Sequence, residues 1–185
     1  MKILILGDTH AQDDIFLEIL AAEKEYGAIL HTGDFEGSEF VYRELSEAPF
    51  YAIAGNNDFF TDSPYERLIE LEGCRIFMTH GHRYSLEKGY MGVCREARRR
   101  NASIAVFGHS HLPVAEYCRG VLMLNPGSTS WPRQENRKPS YIVLNLEDGR
   151  VLSCGINYLD KKGLIKKFKN CVDNRGASNY NNTCI

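Results

Sequence analysis

No CxxC pair occurs in this chain, although it carries six cysteines: Cys74, Cys94, Cys118, Cys154, Cys171 and Cys184. A zinc ribbon or a dithiol redox couple, both built on closely spaced thiols, is thereby excluded. In a chain of 185 residues without a secretory leader the six read as reduced thiols, mostly buried or incidental. No apolar stretch approaches the roughly 20 residues needed to span a bilayer. The opening MKILILG imitates a charged start plus an apolar run, but the run is a few residues long and reads as a strand. These features point to a cytoplasmic protein, in which the sequons at Asn101 and Asn181 carry no weight. Charge of one sign is also scarce. With 22 basic and 24 acidic residues the net charge is −2, which leaves neither a nucleic-acid footprint nor a clear membrane signal. Internal repeats are absent. A chain of this length suits one domain that buries about 70% of its surface on folding.

What is abundant is one local pattern. KILILG runs into Asp8, AILHTG into Asp34, FYAIAG into Asn56, RIFMT into His80 and SIAVFG into His109. Short aliphatic and β-branched runs ended by Gly or Thr read as strands, and the lack of polar alternation predicts cover on both faces. Gly7, Gly33, Gly55 and Gly108 are expected to permit tight turns that swing a polar side chain over each strand end. Eight residues that bind hard or borderline metals sit in these blocks: Asp8, His10, Asp34, Asn56, His80, His109, His111 and, trailing behind, Asn125 in NPGS. Taken singly, Asp8 could cap a helix, Asp34 could form a turn, and His80 could be a satisfied buried histidine. Jointly they resist that reading, because a cap tolerates Ser or Thr equally well. In GHSH the two histidines lie two apart, so on an extended segment they point the same way. Imidazole, carboxylate and amide oxygen together suit first-row divalent metals. Ligands bind outside the carboxyl ends of strands in open α/β sheets, so a metal centre on one rim is expected.

The ordered set GDTH, GDF, GNND, THGH, GHSH, NPGS resembles the calcineurin-like metallophosphoesterase superfamily, and the short chain is similar to its small prokaryotic phosphodiesterase branch. The resemblance runs from about residue 2 to about 158. It implies an α/β fold, a two-sheet β-sandwich flanked by helices, with a dinuclear metal site at the C-terminal edge of the strands. It further implies Asp8, His10 and His111 as ligands of one ion, Asn56, His80 and His109 as ligands of the other, and Asp34 as the carboxylate bridging them. Two divalent ions so held lower the pKa of water toward neutrality and favour in-line attack of hydroxide on phosphorus. The donor set carries no sulfur, and Mn is the expected ion, with Ni, Fe, Zn or Mg as alternatives.

Many members of the superfamily carry His directly after the ligand Asn; here that position is Asn57. An amide donates a hydrogen bond but delivers no proton, so leaving-group protonation must come from elsewhere. His82 is the substitute donor by reach and pKa, with an outer hydrogen-bonding role as its alternative. Asp58 is expected to orient a ligand, since a carboxyl with an ordinary pKa is ionised at neutral pH. Phosphodiester hydrolysis is the leading expectation, phosphomonoester hydrolysis at the same centre the next. A reading of another class, a catalytically silent interaction scaffold like the retromer subunit of this fold, requires loss of ligands that this chain retains. The expected partner is a small phosphate ester; the number of copies in the assembly stays open, with a dimer among the alternatives.

Between the blocks, helices are expected over 13–26, 38–46 and 86–100, with Gly27 as the first helix's stop and Arg98, Arg99 and Arg100 forming a solvated basic helix end. Strands are expected over 114–118, 121–124, 141–146 and 151–158, with hairpin turns at Arg119-Gly120 and Glu147–Gly149. The polar loop Ser128–Pro139 offers Trp131 and Arg133 as candidate substrate contacts. Residues 159–185 differ in kind: five Lys and one Arg stand against two Asp, a net +4 that leaves −6 on residues 1–158. They read as a flexible or loosely docked tail, with a short amphipathic helix over 161–169 as the alternative.

Overall fold

In the computed structural model, residues 1–159 are described in full, and of the remainder the backbone of strand Ile165–Asn170. Eleven strands among the described residues form two mixed sheets. The first contains β1 (Lys2–Leu6), β2 (Ala28–His31), β3 (Phe50–Ala52), β9 (Ser140–Glu147), β10 (Arg150–Leu159) and β11 (Ile165–Asn170), in the order β11-β10-β9-β1-β2-β3. The second contains β4 (Glu66–Leu71), β5 (Cys74–Thr79), β6 (Ile104–Val106), β7 (Val114–Cys118) and β8 (Val121–Asn125), in the order β4-β5-β6-β8-β7.

The side-chain alternation of β1 explains why its run is apolar throughout. Ile3 and Ile5 enter a core shared with Ile76, Met78, Ile104 and Val106 of the opposite sheet. Leu4 and Leu6 turn the other way, onto Phe16 and Ile19 of α1 (Asp13–Ala22) and Tyr42 of α2 (Glu39–Leu45). Across the molecule, Phe77, Ala105 and Met123 meet Val93, Cys94 and Ala97 of α3 (Met91–Arg99). The result is a sandwich of two sheets with helices on both outer faces, as the apolar runs predict.

Topology decides where function can sit. β1, β2 and β3 run parallel to one another, and so do β5, β6 and β8. The blocks carrying Asp8, Asp34 and Asn56 follow the first trio, and those carrying His80, His109 and Asn125 follow the second. Backbone bonds stitch the loops at this rim: Asp8 N–H donates to Gly33 O (3.0 Å), His10 N–H to Asp34 O (2.9 Å) and Gly108 N–H to His80 O (3.0 Å).

Several boundaries differ from expectation. α1 ends at Ala22, and Gly27 serves not as its stop but as the entry to β2, donating to Lys2 O. α3 begins at Met91 because Ser85 and Gly89, at φ 50° and 95°, break the run into a 3-10 turn over Leu86–Lys88. Its basic end is not simply solvated: Arg100 pairs with Glu66 of β4 and stacks over Phe77. β4 itself escapes the sequence because its glutamates interrupt the apolar signal. The turns at Arg119-Gly120 and Asp148-Gly149 have positive φ at both residues, as two-residue hairpin turns require. Ile165–Asn170 pairs antiparallel with β10, so this part of the segment read as a helix over 161–169 is a strand; the rest, with residues 171–185, lies outside the described residues. Cys74, Cys94, Cys118 and Cys154 are buried, while Cys171 and Cys184 lie outside the described residues. No helix among the described residues is long and apolar enough to cross a membrane.

Candidate metal centre

Five of the seven ligand candidates have a left-handed backbone: Asp8 (φ 50°), His10 (45°), Asp34 (56°), His109 (66°) and His111 (57°). Such conformations cost on the order of 1–3 kcal/mol each for non-glycine residues and persist only where the surroundings enforce them. Their concentration on one rim is a mark of function. The glycines expected to supply the turns act differently, since Gly7, Gly55 and Gly108 are not left-handed. They are needed for close approach: a Cβ on Gly55 would lie 2.0 Å from Asp34 Oδ1, and one on Gly108 would lie 2.7 Å from Asp8 Oδ2.

Two groups of side chains bring potential ligand atoms within 4.8 Å of one another. The first is Asp8, His10 and His111, as the resemblance implies; His10 Nε2 and His111 Nε2 stand 3.4 Å apart, and His111 Nε2 is 3.1 Å from Asp8 Oδ1. The second is Asp8, Asp34 and His80. Asn56 belongs beside this second group, its Oδ1 lying 3.0 Å from His80 Nε2. Asp34 Oδ2 reaches from the second group toward the first, 3.5 Å from His80 Nε2 and 3.9 Å from His10 Nε2. His109 is in neither group, though its ring lies 5.1 Å from that of His80 and its backbone N–H donates to both oxygens of Asp8. Asn125 is turned away to brace the GHSH loop, donating to Gly108 O and Ser110 Oγ.

The outer hydrogen bonds aim the imidazoles. Nδ1 of His10 meets Glu36 Oε1 (2.7 Å), Nδ1 of His80 meets Thr32 O (2.7 Å) and Nδ1 of His111 meets Trp131 O (2.8 Å). With Nδ1 so engaged, Nε2 of each ring faces the site as a lone-pair donor, the arrangement by which outer partners orient metal-binding histidines. Ser128 and Ser130 hold the carbonyl of Asp8. Sequence reasoning missed Glu36, Ser128 and Ser130; only GDFE, three residues of which were already singled out, hinted at the first.

The three residues proposed for catalysis have distinct surroundings. Asn57 grips Asp34 with both its backbone N–H (to Oδ1, 2.9 Å) and its side-chain amide (to Oδ2, 2.9 Å). Asp58 accepts backbone N–H groups from Asp34, Phe35, Glu36 and Gly55, tying the Asp34 loop to the Asn56 loop, while burial pushes its pKa up. His82 flanks His80 at 5.4 Å between rings, and its Nδ1 has no partner among the described residues. Burial, together with His80, Arg83 and His109, lowers its pKa and favours the neutral ring. Trp131 stacks on His10 at 4.0 Å, and Arg133 N–H donates to His111 O. The sixth histidine, His31, is buried, which lowers its pKa to about 4; as a neutral ring it accepts the Gly33 N–H at Nδ1 and meets the Thr9 hydroxyl at Nε2.

Residues 1–149 match the calcineurin-like phosphoesterase superfamily domain. The chain is 33% identical to a probable metallophosphoesterase, YsnB, of Bacillus subtilis, over 88% of this chain and 93% of that one. It is 36% identical to the phosphodiesterase YfcE of Escherichia coli, over 55% of this chain and 54% of that one. The fold is similar to that of Vps29 of Entamoeba histolytica complexed with zinc, with a TM-score of 0.78 and 21% identity over 93% of this chain and 100% of that one.

Two predictions follow from the outer bonds and the charges. Glu36→Gln should weaken metal binding by about 10–100-fold, because it removes the anion that orients and polarises His10; calorimetric titration of stripped protein measures this, and wild-type affinity would contradict it. In stripped protein, burial opposes charge on His80, but hydrogen bonding to Asp34 and the charges of Asp8 and Asp34 outweigh it and raise the pKa to about 9. Burial likewise raises the Asp34 pKa, but His80 and the Asn57 N–H outweigh it, bringing the net value down to about 2. A raised histidine pKa contributes stability below the unfolded value of about 6.5, lost as pH climbs through about 9. A metal needs the neutral ring, so it must displace that proton. Metal affinity should therefore rise with pH up to about 9 and then level, with proton release visible as buffer-dependent heat. A flat affinity across that range would contradict the assignment of His80.

Proposed function

The chain belongs to the calcineurin-like phosphoesterase superfamily, and from that premise we propose that it is a dinuclear metal-dependent phosphodiesterase. One observation carries the reading: two candidate ligand groups share Asp8, and the Asp34 carboxylate of the second lies within 4 Å of His10 Nε2 in the first. Anionic oxygens at that position suit two cations that would otherwise repel each other. Two divalent ions held there would supply an acidified water and positive charge for the phosphoryl oxygens. The chain's own residues do the rest. His10, His80 and His111 present Nε2, Asn56 presents its amide oxygen, and Asp34 is fixed in orientation by Asn57. His109 completes the set beside His80, as the resemblance implies. The sulfur-free donors favour Mn, then Ni, over Mg.

Diesters are preferred over monoesters because Asn57 is committed to Asp34 and carries no transferable proton, so poor leaving groups lack help there. The relative named a phosphodiesterase supports the same choice. A silent scaffold, the reading from another class, is disfavoured by the complete ligand set and its outer hydrogen bonds. The buried thiols of Cys74 and Cys94 fit a reducing compartment, and we place the enzyme in the cytoplasm with a small phosphate ester as its partner.

Asp34→Asn should lower bound metal and reduce turnover of bis-p-nitrophenyl phosphate by at least about a hundredfold, since it removes the anion between the two cations. Chelation should silence the wild type, with Mn restoring it better than Mg; two metals retained at wild-type affinity with normal turnover in the variant would sink the proposal. For protonation, the rate should fall steeply as leaving-group pKa rises. If His82 donates the proton, His82→Ala should harm alkyl leaving groups far more than nitrophenolate, whereas an even loss would assign it to phosphate binding or ligand support.

A further inference from the structure

Phe59 and Phe60 follow directly on Asn57 and Asp58, yet they are 80% and 99% exposed. Large apolar side chains this open are unremarkable when scattered and free to move. These two are neither. On the N-terminal side their backbone is anchored by Asp58, whose carboxylate accepts four backbone N–H groups at 2.7–2.9 Å. On the C-terminal side Glu39 of α2 accepts the hydroxyls of Thr61 (2.5 Å) and Ser63 (2.7 Å) and is itself held by Arg43. Two buried or half-buried carboxylates thus present a pair of rings to solvent on a stiff support, which reduces the ordering cost of binding.

The place they occupy adjoins the metal centre. A cavity of about 420 Å³ is lined by Phe35, Glu36, Asn57, Asp58, Phe59 and Phe60. Two of these touch the centre, Glu36 through His10 and Asn57 through Asp34. The lining contains carboxylates and no Lys or Arg, so a second phosphate or a carboxylate on the substrate would be repelled. Rings, by contrast, gain from stacking against rings at an exposed site. We infer that Phe59 and Phe60 form a preset subsite for an uncharged aromatic substituent of the phosphodiester, a nucleobase or aryl group carrying no further anion. The inference rests on the phosphoesterase reading for the identity of the ester and deepens it by naming the class of substituent.

Binding, not turnover, tests it. Dissociation constants of phenylphosphonate and methylphosphonate are measured by calorimetry on the Mn-loaded protein and on Mn-loaded Phe59→Ala/Phe60→Ala. Both rings are exposed, so the variant should fold and hold metal as the wild type does, which elemental analysis checks. The phenyl compound should bind the wild type about tenfold tighter, and the double variant should bind both alike. Equal affinities in the wild type, or a phenyl preference that survives in the variant, would overturn the subsite. A survival of that preference together with a drop in oligomer size on gel filtration would assign the rings to contact with a second copy instead. Failure of the Mn-loaded protein to hydrolyse any diester, with the phenyl preference intact, would count against the proposed hydrolysis and leave the subsite standing.

Discussion

The candidate centre is built around the carboxylate of Asp34. Its two oxygens take the backbone and side-chain N–H groups of Asn57, and one of them lies within 4 Å of both His10 Nε2 and His80 Nε2. Its backbone is equally engaged, the N–H given to Asp58 and the carbonyl accepting from His10. The loops after β1, β2, β3 and β5 are therefore joined through one residue, itself held in a left-handed conformation. An anion so deeply placed is costly without compensation. Here the compensation comes from imidazoles and N–H donors aimed at it, which is also what two cations would require of their shared ligand.

That arrangement demands close backbone approach at the rim. Gly55 and Gly108 sit where any side chain would overlap the oxygens of Asp34 and Asp8. The sandwich beneath supplies the rigidity. Strands buried on both faces leave no room for the loop roots to shift, so strain in five ligand positions is sustained by packing in three apolar clusters. Outside the candidate ligands, a ring of partners (Glu36, the Thr32 and Trp131 carbonyls, Ser128 and Ser130) sets the direction of the His10, His80 and His111 rings and of Asp8. The centre is thus organised by the chain itself, and metals would enter a site whose donors already face inward.

The same economy of carboxylates extends to specificity. Asp58 and Glu39 sit at the two ends of the Phe59–Phe60 loop, so the groups that stabilise the Asp34 turn and α2 also decide where two rings are displayed. Positioning of the Asp34 carboxylate and shaping of the neighbouring cavity are one structural problem.

Much was legible in the residues alone. Apolar runs ending in Gly or Thr predicted strands, and β1, β2, β3, β5 and β6 are the strands they form. Residue type marked the candidate ligands, the family resemblance grouped Asp8, His10 and His111 among them, and the structure brings these three together. What the residues could not reveal depends on contacts remote in sequence. β4 mixes Glu66, Arg67 and Glu70 with three apolar residues and is a strand because β5 pairs with it. Arg100 looked like a solvated helix end until Glu66 and Phe77 met it. Glu36 acquires a role only by facing His10 across 26 positions, and Asn57 only by meeting Asp34 across 23. Residue type and local periodicity are written in one dimension, so the chain by itself determined its strands, its donor chemistry and its family. Which donor faces which, which glycine admits which carboxylate, and which rings are left in solvent beside the centre depend on distances between strand ends of two different sheets, and only the tertiary structure decides those.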